Sequence, residues 1–205
     1  MNKLLTLMLL LIAPLGVNAG AIDLALSDET AYLSLIFDTD PLYSSQFDSR
    51  DGGSEVSIGA FISESDDNLL HATLIARGYK QANLSVYQIS AGMKLIGGDI
   101  EIGEEFVEQE RSETVGALAL GFQAGLILVP AQYNPVELTF EGFYAPSITS
   151  FSDAERYGEI SARLQVDVTS RARAYIGYRR MRFDTNEFEN VTLDRSAHFG
   201  LVLLF

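Results

Sequence analysis

The 205-residue chain contains no cysteine. That absence excludes a lipid-modified cysteine anchor, a disulfide framework, a thiol nucleophile and any thiolate metal site. Basic residues are scarce as well: 14 Lys and Arg stand against 28 Asp and Glu, for a formal charge of −14. A surface this acidic repels nucleic-acid phosphates, so no nucleic-acid partner is expected. Past the first twenty residues, no apolar run approaches the roughly 20 residues that a membrane-crossing helix requires. The hydrophobic share of 47% nevertheless excludes a disordered acidic chain.

The start, "MNKLLTLMLLLIAPLGVNAG", carries Lys3, an apolar run from Leu4 to Leu15, and small residues at Val17 and Ala19. This order of basic, apolar and small residues predicts a secretory signal over 1–19 and one domain over 20–205. The apolar run is too short for a helical anchor. Loss of Lys3 with the signal takes the charge from −14 to about −15.

Beyond it, apolar residues fall at every second position in stretches separated by polar or turn-forming breaks. Such alternation marks strands with two unlike faces. Ten stretches are predicted, near 22–27, 30–38, 54–63, 68–78, 84–96, 114–128, 136–145, 156–167, 172–183 and 195–205. In "TVGALALGFQAGLILV", Leu118, Leu120, Phe122, Ala124, Leu126 and Leu128 oppose the small or polar set Ala117, Ala119, Gly121, Gln123 and Gly125. In "VELTFEGFY", Val136, Leu138 and Phe140 oppose Glu137, Thr139 and Glu141.

A soluble sandwich uses the same alternation with its apolar faces inward. Four features favour a transmembrane barrel instead: the predicted signal, strands of about 9–12 residues, aromatics at strand ends, and the aromatic last residue. The strand-end aromatics are Tyr133, Phe143, Tyr144, Tyr157 and Phe183. The expected fold is a closed antiparallel all-β transmembrane barrel of ten strands in the bacterial outer membrane. Eight is the alternative count, because "IDLALSDETAYLSLIFD" also fits one long bulged strand. An even count puts both termini on the periplasmic side and the breaks near 28–29, 64–67, 97–113, 146–155 and 184–194 outside.

Several segments resemble a known family. "ELTFEGFYAPSITSF", "YGEISARLQV", "RARAYIGYRRMRF" and the terminal "FGLVLLF" resemble the YfaZ family of proteobacterial outer-membrane proteins, most clearly over 136–205. The most specific pieces are Gly142 to Pro146 and Gly177–Tyr178–Arg179. The resemblance implies an outer-membrane barrel, in some members described as porin-like. It also implies that Phe199, Leu201, Leu203 and Phe205 form the strand by which such barrels are recognised for insertion by the barrel assembly machinery. The acidic stretch 97–113 and a segment 184–194 without glycines depart from the family pattern.

Parity turns Glu137, Glu141, Glu159, Arg163, Arg173 and Arg179 inward on three successive strands. Charges in a narrow, poorly hydrated lumen are costly unless paired, so they are expected to form a network there. That network serves either a narrow porin-like channel for ions or small solutes, the reading taken first, or a plugged structural or adhesive barrel. A third, remote reading is a rim hydrolase built from Asp66, Asp67, His71, Asp194, Ser196 and His198. No G-x-S-x-G motif supports it, and no enzyme is expected.

"GGDIEIGEEFVEQERSET" holds seven acids against Arg111 and suits divalent cations or a solvated loop. Its spacing matches no EF-hand, so no defined metal site or cofactor is expected. The expected surroundings are outer-membrane lipid and lipopolysaccharide. Glycines at 116, 121, 125, 142, 158, 177 and 200 are expected to relieve crowding in a small barrel.

Overall fold

Each alternating stretch is a strand in the computed structural model, which describes residues 20–38, 52–82, 85–102, 111–128 and 134–205. The predicted signal, Tyr133 and the acids Glu104, Glu105, Glu108 and Glu110 lie outside the described residues. The strands are β1 Gly20–Leu26, β2 Thr30–Asp38, β3 Gly52–Ser63, β4 Asn68–Ala82, β5 Ser85–Ile102, β6 Arg111–Leu128, β7 Val136–Ala145, β8 Ser150–Ser152, β9 Ala154–Thr169, β10 Ala172–Thr185 and β11 Val191–Leu204. Among the described residues, one 3-10 turn, Ser147–Thr149, interrupts them.

Antiparallel neighbours run β5-β4-β3-β2-β1-β11-β10-β9-β7-β6, and β5 pairs with β6, so the sheet closes on itself. The wall is a ten-stranded barrel. The three-residue β8 pairs with β6 beyond the end of β7, through Val115↔Ser152 and Ala117↔Ser150. Closure leaves no edge strand among the ten wall strands described, and β1 meets β11 through Ala21↔Leu204 to Leu26↔Phe199.

The count of ten rather than eight is decided at the first hairpin. Ser27 turns the chain there: its N–H donates to Thr30 O at 2.9 Å, and its hydroxyl accepts from Thr30 N at 2.9 Å. Pairing then runs from Leu26↔Ala31 to Gly20↔Phe37. "IDLALSDETAYLSLIFD" is therefore two strands.

Two rims follow. The terminal rim carries Gly20 and Phe205, joined by Phe205 N–H to Gly20 O at 3.0 Å. The far rim carries the turns at 27–29, 64–67, 146–153 and 186–190, and its turns are stitched to one another. Glu64 N donates to Glu29 O at 2.9 Å, and Asn186 N to Asp153 O at 2.9 Å.

The structure corrects three expectations. First, the described ends of 97–113 are strand: Gly97–Ile102 completes β5 and Arg111–Glu113 begins β6. "DIEI" still alternates, with Ile100 and Ile102 fully buried, so the strand outlasts its acidic appearance. Second, 184–194 is mostly strand around a short turn. Asn190 takes the left-handed conformation there, at φ 61, in a segment that holds no glycine. A bulge at Leu193 shifts the register between Met181↔Asp194 and Arg182↔Thr192, which turns both Leu193 and Asp194 inward. Third, Phe143, Tyr157 and Phe183 are not girdle residues. All three are buried in the lumen, because each shares the parity of an inward neighbour, namely Glu141, Glu159 and Arg179.

Every wall strand carries an apolar series on its outward face. Leu120 is 65% exposed, Phe199 75% and Ile89 75%. Series such as Leu118 to Leu128 on β6 and Ile160 to Val168 on β9 form a belt of the length that tilted membrane strands require.

Candidate functional site

The lumen gathers the chain's buried ionisable groups, and the inward parity of each strand puts them there. They lie in layers. Nearest the terminal rim, Arg173 Nε stands 3.3 Å from Asp167 Oδ1. Beside it Glu137 accepts from Thr139 Oγ1 at 2.9 Å and Gln165 Nε2 at 3.3 Å.

The middle layer surrounds a cavity of about 110 Å³, with room for several water molecules. Arg163 Nη1 lies 3.1 Å from Asp23 Oδ2 across the β1 side of the wall. Tyr175 OH donates to the other Asp23 oxygen at 2.5 Å. Lys94 Nζ meets Glu159 Oε2 at 2.6 Å, and Tyr157 OH donates to the same oxygen. Arg179 Nε meets Asp194 Oδ2 at 2.6 Å, while Ser196 Oγ donates to Asp194 Oδ1 at 2.6 Å. Arg77 pairs with Glu55.

Aromatic rings line the same layer and face the cations. Arg179 lies 4.9 Å from the Tyr32 ring centroid, Lys94 4.6 Å from that of Phe143, and Arg163 4.9 Å from that of Tyr175. These contacts stabilise charges that water reaches poorly.

Toward the far rim the lumen changes character. Phe61, Leu69, Ile96, Ile100, Phe143, Tyr157, Met181, Phe183 and Leu193 pack into one buried cluster. Tyr157 and Phe183 meet at 4.8 Å between ring centroids. This apolar layer occupies the far-rim ends of the strands that line the charged cavity.

All six charges read from the sequence face inward, but four of them pair outside that set: Glu159 with Lys94, Arg163 with Asp23, Arg173 with Asp167 and Arg179 with Asp194. Glu137 and Glu141 are held by neutral donors, Glu141 by Gln123 Nε2 at 3.5 Å. Sequence reasoning left Asp23, Glu55, Arg77, Lys94 and Asp167 unassigned. The signal was available for Asp23, which alternates with Leu24 and shares its parity with Ala21 and Ala25.

Of the candidate rim-hydrolase residues, His71 stacks on Tyr32 at 5.0 Å, and His198 sits mid-strand, edge-on to Tyr175 at 5.9 Å. Asp194 and Ser196 bond to each other, and Asp66 forms the turn at φ 62. Asp67 accepts from Ser63 Oγ at 2.7 Å and from Glu101 N at 2.9 Å. Burial raises its carboxyl above the ordinary aspartate range, against the lowering effect of those two hydrogen bonds.

Phe199, Leu201, Leu203 and Phe205 all point outward, on and just past β11. Among the described residues, no group of three or more His, Asp or Glu side chains is placed to hold a metal ion. Compared with known proteins, the chain matches no family model and no curated protein.

Proposed function

We propose that the protein is an outer-membrane barrel whose lumen is sealed, a membrane-embedded scaffold rather than a constitutively open pore. The observation that carries this reading is the apolar layer around Phe61, Phe143 and Phe183, packed as one buried cluster on the far-rim side of the charged cavity. A charged solute would have to shed its hydration to cross that layer.

The membrane placement is supported by the exposed leucines, isoleucines and phenylalanines that recur along the outward face of the barrel, a kind of surface that marks membrane or protein contact. The resemblance to the YfaZ family points to the same place, as does the order of basic, apolar and small residues over 1–19. In this reading the terminal rim is periplasmic and the far rim faces outward.

Planar-bilayer recording of refolded protein tests it. Wild-type protein is expected to be silent, and a Phe61→Ala/Phe183→Ala variant to show discrete steps. Wild-type steps that change with Glu141→Gln or Arg163→Gln would reverse the assignment in favour of a narrow channel.

A further inference from the structure

Arg180 on β10 and Arg195 on β11 are direct cross-strand partners on the outward face, and both are exposed. Like charges in that position repel one another. Among the described residues, no acid lies within ion-pairing distance of either. Arg182 and Arg156 extend the basic surface along the same rim; Arg156 Nε pairs with Asp184 Oδ2 at 3.2 Å, and Arg182 Nη1 donates to Asn190 Oδ1 at 3.1 Å. Four of the chain's 14 basic residues thus lie on neighbouring strands at one rim of a protein of charge −14, and of the four Arg156 is ion-paired, with Asp184.

The arginines stand at a boundary. On β10 the outward series runs Ala174, Ile176, Tyr178 and then Arg180, Arg182; on β11 it runs Leu201, Phe199, Ala197 and then Arg195. They therefore follow immediately on the apolar belt. Beside them an outward groove of about 360 Å³ runs between Leu120, Phe122, Tyr144 and Ile160. Gly142 and Gly158 form its floor, because both are outward positions without side chains: Gly142 pairs with Ile160, Tyr144 with Gly158, and Gly158 with Arg182.

We infer that this surface binds a phosphate-bearing lipid, with its phosphate between Arg180 and Arg195 and an acyl chain in the groove floored by Gly142 and Gly158. Guanidinium groups suit phosphate oxygens through paired N–H donors. An anion between them also removes the repulsion that the bare pair carries. The site rests on the reading of the barrel as membrane-embedded, since it needs lipid on both sides of the belt boundary.

The test uses the full barrel refolded in a nonionic detergent, titrated with diphosphoryl lipid A, with a diacylglycerol lacking phosphate, and with inorganic phosphate, and read by native mass spectrometry. Lipid A is expected to remain bound, and the other two to bind at least tenfold more weakly. Arg180→Gln/Arg195→Gln should lower lipid A retention at least tenfold, while Arg171→Gln at the opposite rim should leave it unchanged. Gly158→Leu should lower retention by obstructing the groove. A Cβ at 158 has its nearest neighbour, Arg182 Nε, at 3.5 Å, so the fold accommodates it.

Heat-modifiable migration of each variant reports the folded barrel separately. Equal retention by the double arginine variant, or diacylglycerol binding as well as lipid A, overturns the lipid site. Inorganic phosphate competing at the same concentration as lipid A overturns it in favour of a free-phosphate site. A protein that stays folded and monomeric without detergent overturns the membrane reading itself, and the lipid site with it.

Discussion

Tyr175 lies across Gly200. A Cβ built on Gly200 would stand 1.9 Å from the ring Cζ, and the hydroxyl of the same ring donates to Asp23 Oδ1 at 2.5 Å. The glycine lets β10 reach past β11 and latch onto β1. The same device recurs with Gly121 beneath Phe143 and Gly177 beneath His198, where a Cβ would stand 2.3 Å and 2.4 Å from the ring. A ring covering a cross-strand glycine fills the space and shields the bare backbone.

Gly200→Val therefore forces the tyrosine off its place. The expected loss is about 1–3 kcal/mol of stability, measured by urea unfolding of the refolded barrel. Tyr175→Phe, which removes only the hydroxyl, is expected to cost about 1–3 kcal/mol, because one oxygen of a buried carboxylate loses its donor.

Lys94→Met leaves Glu159 charged in the lumen without its ammonium. A loss of about 3–5 kcal/mol is expected. Adding Glu159→Gln should restore most of it, so the double-mutant cycle should give a coupling energy above about 1 kcal/mol. Strict additivity of the two substitutions would mean that the pair does not act as a unit.

Phe183→Ala opens a hole in the apolar layer, where the ring is completely buried. The expected cost is about 3–5 kcal/mol, read as a lower urea midpoint. Tyr144→Ala, on the outward face of the same region, should cost less in detergent, since its ring is half exposed.

Asp67 gives the far rim a pH dependence. Its folded-state pKa lies above the unfolded aspartate value of 3.8, so the folded form holds the proton more tightly. Its contribution to stability is full below that value and declines as pH rises through the raised one. Asp67→Asn should flatten this segment of the stability profile from about pH 4 upward, measured as unfolding midpoint against pH. A wild-type profile with the opposite slope there would reverse the sign assigned to the group.

Strand positions and faces were legible because a period of two is written directly into the residues. Leu118, Leu120 and Phe122 point outward, and Ala117, Ala119 and Gln123 point inward, as their alternation requires. Phe143, Tyr157 and Phe183 were misplaced by a composition rule, aromatics at strand ends, although parity alone puts them inside. The start of β11 was missed because the bulge at Leu193 breaks the alternation. The partners of the lumen charges are a different matter. Lys94 and Glu159 lie on β5 and β9, on non-adjacent parts of the wall. Which groups meet across a lumen depends on barrel diameter and stagger, and no local pattern records either.

The ladder between β1 and β11 has a kinetic meaning. It joins Ala21 to Leu204, whereas the other wall strands pair with partners close by in the chain. The loop it closes is nearly the whole polypeptide, so its entropic cost is the largest of any pairing here. Hairpins will zip early, and the seam will be the slow event. Until the seam forms, the sheet carries two open borders able to recruit a neighbouring chain, which makes the unsealed intermediate the species most prone to aggregate.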